Sequence, residues 1–264
     1  MVSQRRRSLR RILGAASLPV LSCSAGAQNP AENLPDAQSP QNQTSLSTVT
    51  VRGTPFRILK DQEAVWTSPA RIRESNALGP LALVLATALV MTTDHQVMSS
   101  SRLQDPSLNN EATTASTGLL GGLSLRPWPP MGLGHCITTT TPTETGILGG
   151  EAMIDSLAVS EVLKAVSMRE RPTVDNAKGK FFQSSVGLNS SFPSNHAIVA
   201  WSSAAVIASE YDGLLTQVLA YGLATGVSTT RVLARQHFPS DVLVGSAVGW
   251  MIGRYVVHHR RRLD

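Results

Sequence analysis

The apolar segments of this 264-residue chain are long, rich in Ala, Leu and Val, and do not alternate with polar residues. A half-buried strand shows a period of two, so segments of this kind predict helices. The first covers residues 76–92 and is nearly all apolar, and a weaker one follows at 112–125. Residues 146–170 set Leu, Met, Ile and Val among Glu151, Asp155 and Glu161, an amphipathic pattern that Pro172 is expected to end. Further helices are expected at 193–209, 213–234 and 240–257. Aromatic residues make up only 5% of the chain, so the core must rest on small aliphatic side chains. An all-α helical bundle is the expected fold class.

Ahead of the bundle stand two segments of different character. Residues 1–27 place five arginines (Arg5, Arg6, Arg7, Arg10, Arg11) before a short apolar run, then end on Ala25-Gly26-Ala27. That order is expected of an export signal cleaved before Gln28. Cys23 leaves a lipid anchor as an alternative. Residues 28–55, rich in Asn, Gln, Ser, Thr and Pro, bury too little to offset their ordering entropy and are expected to be a flexible linker. The main domain is then 56–264. The 237 residues after the leader carry 18 basic and 18 acidic side chains, so the formal charge of +5 belongs to the leader. No nucleic-acid partner is expected from such a balance. Two cysteines, Cys23 and Cys136, cannot build a disulfide framework or a Cys-based zinc site.

The apolar runs 77–91 and 242–257 fall short of the roughly 20 residues of a membrane span. Both are expected to be buried helices of a soluble bundle. Membrane embedding is the alternative, and association with a membrane surface stays open.

Three polar segments sit against these helices. Lys164 and Arg171 are seven residues apart, close to two helical turns, which predicts that both cations leave one face of a helix. Pro193-Ser194-Asn195-His196 precedes an apolar helix, with Ser194 suited to the N-cap. Free N–H groups and the helix dipole make such an N-terminus a natural phosphate site. In the third, Thr230-Arg231 leads to His237, then Pro239 and Asp241. Pro239 should open a helix, placing Asp241 where it can accept from one imidazole nitrogen and leave the other free to attack.

Together these segments resemble the signature of the type 2 phosphatidic acid phosphatase (PAP2) and vanadium haloperoxidase superfamily: Lys-x6-Arg-Pro, Pro-Ser-Gly-His, and Ser-Arg-x5-His-x3-Asp. Lys164, Arg171, Pro172, Pro193, Ser194, His196, Arg231, His237 and Asp241 match in order and internal spacing, while Asn195 replaces Gly and Thr230 replaces Ser. The resemblance covers about 146–257 and implies the helical bundle of that superfamily. It implies that His237 is a nucleophile oriented by Asp241, and that His196 protonates the leaving oxygen and later activates water. It further implies that Lys164, Arg171, Arg231, Ser194 and the backbone near Asn195 hold the phosphoryl oxygens, without metal or other cofactor.

The expected activity is that of a metal-independent phosphatase acting on phosphate monoesters or lipid phosphates through a phosphohistidine. A vanadate-dependent haloperoxidase is one alternative, a non-catalytic phosphate-binding module another. Asn195 is expected to keep its amide available by entering the left-handed region at modest cost. His95 and His135 are expected in loops without ligand partners. His258 to Arg262 read as a solvated helix end, and the Pro/Thr-rich stretch 126–145 as a loop. Exported and periplasmic is the expected location.

Overall fold

The computed structural model describes residues 51–124 and 142–261. The expected leader, most of the linker, the stretch 126–141, His135 and both cysteines lie outside these residues. The described residues form seven α-helices and no strand: α1 (Thr54–Thr67), α2 (Leu78–Met98), α3 (Pro106–Ser124), α4 (Pro142–Ser167), α5 (Asn195–Glu210), α6 (Leu214–Leu233) and α7 (Pro239–Arg261). This is the all-α bundle expected from the apolar runs. α1 was not foreseen, and helical structure already covers 51–55 at the expected end of the linker.

α5 occupies the centre and packs on α3, α4, α6 and α7. Its Ala and Ser residues leave room for neighbours on every side, and Ala197, Ile198, Ala200, Ala204, Ala205 and Val206 are fully buried. The closest approach is to α7, where Gly245, Gly249 and Gly253 recur every fourth residue on one face. A Cβ on Gly249 would collide with the Ile198 carbonyl, and one on Gly253 with the Ser202 carbonyl. The glycines therefore let two backbones touch, which holds the start of α7 beside the start of α5.

The run at 242–257 is packed on this face as expected, though Trp250 and Met251 look outward. The run at 77–91 is not the expected buried helix. In α2 the side chains of Leu78 (78% exposed), Leu81, Val84, Leu85 and Leu89 (70% exposed) face away from the bundle. Only its last turns, at Asp94 and Met98, are buried. Among the described residues α2 is a helix long and apolar enough to cross a membrane.

Two further expectations need correction. α4 stops at Ser167 rather than running on to Pro172, because Met168 adopts φ +40° and turns the chain away. Arg171 is thus outside α4 and does not share a helix face with Lys164. His95 lies within α2 rather than in a loop, its Nδ1 3.2 Å from the Ala177 carbonyl.

α1 is clamped to α4 by polar groups. Arg57 pairs with Glu151 at 2.8 Å, and Gln62 donates to Asp155 Oδ1 at 2.8 Å. Glu151 and Asp155 thus do share an inward helical face. Beside them Asp61 is 3% exposed, and burial, reinforced by the charges of Asp155 and Glu151, pushes its pKa up to about 7. An acid whose folded pKa exceeds its unfolded 3.8 contributes stability that is lost as pH rises through the folded value. Asp61→Asn mimics the protonated acid, so it is expected to change stability little at about pH 3.5, where the folded and unfolded states are both largely protonated. Near pH 8.5 it should stabilise the fold by about 1–3 kcal/mol. Thermal unfolding at the two pH values checks this, and equal destabilisation at both would contradict it.

Candidate active site

The three polar segments meet at one end of the bundle, where α4 and α6 finish and α5 and α7 begin. Lys164, in the last turn of α4, is buried with its Nζ 3.9 Å from Glu161 Oε1. Arg231, in the last turn of α6, is also buried; one terminal nitrogen donates to Ser116 Oγ of α3 at 3.2 Å, while its buried Nε has no hydrogen-bond partner. Arg171 reaches the same place from the loop after α4, donating to Asn189 Oδ1 at 3.1 Å and to Gln236 Oε1 at 3.1 Å. A folded loop, rather than a helical repeat, makes Lys164 and Arg171 neighbours.

The electrostatics report this convergence. Burial lowers the pKa of Lys164, and the charges of Arg171 and Arg231 lower it further, against the opposing pull of Glu161. Burial, with Arg171 adding to it, brings Arg231 down to about 10. Cations crowded so that they depress one another form a cradle for an anion.

The N-terminus of α5 faces the same space. Ser194 is its N-cap, as expected, but its hydroxyl makes no capping bond; Oγ is fully buried without a partner. The first intrahelical bond runs from Ile198 N–H to the Ser194 carbonyl, so the amides of Asn195, His196 and Ala197 lack helical acceptors. Asn195 does not use the left-handed backbone expected of it and opens α5 without a positive φ. Its carboxamide accepts from Ser160 Oγ at 2.6 Å and donates to Glu161 Oε1 at 2.8 Å. That side chain is spent on α4.

His196, in the first turn of α5, is half-buried, and burial, then Arg231, Lys164 and Arg171, lower its pKa to about 4. His237 lies in the turn before α7 and is almost fully buried, which drives its pKa well below the ordinary histidine value. The expected bond from its ring to Asp241 is not formed. Nδ1 lies 2.7 Å from the Ser191 carbonyl, and Asp241 Oδ2 is 4.0 Å away. A carbonyl only accepts, so Nδ1 carries the proton and the Nε2 lone pair is free.

Asp241 orders the surroundings instead. Oδ2 accepts from Ser191 Oγ and from the Phe238 amide, both at 2.8 Å, and Oδ1 pairs with Arg169 at 2.5 Å. Burial pushes the Asp241 pKa up to about 6, with Arg169 opposing. Ser191 and Arg169, which contact Asp241 from the segment between α4 and α5, and Asp94 of α2, which reaches it through Arg169 and Ser240, were not singled out in the sequence. Arg169 stands two residues before Arg171, but nothing local marks it as buried. Asp94 ends an apolar helix far upstream and carries no local signal.

The all-α bundle thus brings a helix N-terminus and three cations together with two histidines, an arrangement whose charge suits an anion. Residues 147–263, from α4 through α7, match the family model of the PAP2 superfamily. That match supports phosphatase-type activity in general. Among solved structures the chain is similar to a transmembrane PAP2-type phosphatidylglycerolphosphate phosphatase from Bacillus subtilis, at 17% identity and a TM-score of 0.42, covering 70% of this chain and 97% of that one. No curated protein matches the chain.

Proposed function

We propose that the protein is a metal-independent phosphoric ester hydrolase acting on phosphate monoesters or lipid phosphates through a phosphohistidine. The observation that carries this reading is the fully buried, unpartnered Ser194 Oγ at the start of α5, two residues before His196, whose pKa Arg231, Lys164 and Arg171 lower together. Those groups and the free α5 amides would hold the non-bridging oxygens and stabilise the charge of the transition state. The Nε2 lone pair of His237 attacks phosphorus. The phosphorus–oxygen ester bond breaks, and its electron pair stays on the leaving oxygen, which takes a proton from His196. Water then adds to phosphorus while His196 accepts its proton, the nitrogen–phosphorus bond breaks, and inorganic phosphate leaves.

His196 is neutral in the free protein at ordinary pH, given a pKa of about 4. A bound phosphoryl group offsets the three cations and raises that value, so the proton is loaded with the substrate. The Asn195 carboxamide is engaged by α4, which favours the enzyme over the binding module because it leaves the pocket side of the motif to the substrate. We read the chain as exported and seated on a lipid bilayer through the apolar outer face of α2.

The test is phosphate release by purified protein from p-nitrophenyl phosphate, phosphatidic acid and an isoprenyl diphosphate, with and without detergent. Turnover on at least one is expected, unaffected by EDTA and inhibited by orthovanadate, a mimic of the pentacoordinate transition state. No turnover on any, or turnover lost to EDTA and restored by a divalent ion, would refute the proposed chemistry. Recovery of the protein without detergent, in the aqueous phase, would refute the lipid seat.

A further inference from the structure

We infer that Asp94, at the end of α2 and outside the 147–263 segment, is a positioning residue for the His237 nucleophile, acting through Arg169 and Asp241. The inference rests on the phosphatase reading for what it positions, and on hydrogen bonds for how.

Asp94 is 3% exposed, and among the described residues the bonds of its carboxylate lead to the site. Its Oδ1 accepts the Ser240 amide at 3.1 Å, and its Oδ2 accepts both the Ser240 hydroxyl and a terminal nitrogen of Arg169, the latter at 2.8 Å. Arg169 is fixed on all sides. Its Nε donates to the Gly179 carbonyl at 3.2 Å, and its other terminal nitrogen donates to Ser240 Oγ at 2.8 Å and Asp241 Oδ1 at 2.5 Å. Its guanidinium lies against the Phe238 and Phe181 rings, 4.1 and 4.7 Å from their centroids. From Asp241 the chain of contacts continues through Ser191 Oγ, and the Ser191 carbonyl takes the Nδ1 proton of His237 at 2.7 Å.

Two carboxylates flanking one buried guanidinium fix its position along both edges; with a single one, the edge that faced Asp94 loses its charge-assisted bond and the group can shift toward Asp241. Without Asp94, Arg169 keeps one charged partner and Asp241 Oδ1 loses a donor held in a set direction. Ser191 then drifts, and the ring whose tautomer it sets drifts with it. A nucleophile misplaced by about 1 Å costs on the order of 100-fold in rate. Substrate holding is carried by other groups, so the effect falls on kcat.

The experiment compares full-length wild type with Asp94→Asn and Asp94→Glu, using p-nitrophenyl phosphate and the imidazole proton resonances of His237. Asp94→Asn is expected to lower kcat by about 30-fold or more with KM within about 3-fold, and Asp94→Glu to recover part of the loss. The His237 Nδ1 proton, shifted downfield by its short bond to a carbonyl, should move or broaden in Asp94→Asn. A folded Asp94→Asn protein with wild-type kcat and an unmoved resonance overturns the inference. If Asp94→Asn does not fold, Ser240→Ala keeps both charges and removes one contact to each; a kcat loss of about 5-fold with a moved resonance is expected, and no change in either overturns the inference. If wild type hydrolyses no phosphate ester, the phosphatase reading fails by itself, and the resonance comparison still decides whether Asp94 holds His237.

Discussion

His237→Ala protein is expected to turn over no phosphate ester, a loss of about four orders of magnitude or more in kcat/KM. The reason is the proton inventory of the ring. Nδ1 is committed to the Ser191 carbonyl at 2.7 Å, burial keeps the imidazole neutral, and the one remaining lone pair is on Nε2. Alanine removes that pair and leaves the cations, so the variant should still bind orthovanadate or phosphate while hydrolysing nothing. Rapid quenching with radiolabelled substrate should trap acid-labile phosphate on wild type and none on the variant. Retained activity, or unchanged labelling, would show that the nucleophile is another group.

Gly249→Ala is expected to be the most damaging single change outside the site, costing on the order of 3 kcal/mol or more. Its new Cβ would overlap the Ile198 backbone, which cannot swing aside as a flexible side chain would. Either α7 is pushed off α5 or the fold is lost, and a shift would separate His237 and Asp241 from Ser194. Gly222→Ala on α6 is the control, because a Cβ there meets nothing within 4 Å. It is expected to be neutral or to stabilise by about 0.5–1 kcal/mol, as Gly to Ala does within a helix. Thermal unfolding of the two variants decides the matter, and a Gly249→Ala protein as stable as Gly222→Ala would disprove the close packing.

Helix placement was legible because it depends on local composition. Six of the seven helices sit where apolar runs predict them, and the boundaries moved by a few residues to include polar ends such as Thr93-Asp94-His95. α1 was missed because its Lys60, Asp61, Gln62 and Glu63 do not read as a buried face; the burial of Asp61 exists only because α4 presents Glu151 and Asp155 to it. The burial of α2 was misjudged for the complementary reason. An apolar run shows that a helix avoids water, but whether protein or lipid receives it depends on what packs alongside.

For the site, the sequence by itself named the candidate residues. The spacings of Lys164, Arg171, Ser194, His196, Arg231, His237 and Asp241 name them, and helix punctuation at Ser194 and Pro239 places them at helix starts. Only the tertiary structure decided how they are held. It moved Arg171 off the α4 face through the turn at Met168, turned the Asn195 carboxamide onto Ser160 and Glu161, and gave the Nδ1 proton of His237 to Ser191 rather than to Asp241. It also brought in Asp94 and Arg169, which lie 75 residues apart. A short motif records groups that act on the same ligand, because their spacing within a turn of helix is local geometry. The bonds that orient those groups run between elements distant in sequence, so they exist only after the helices have packed.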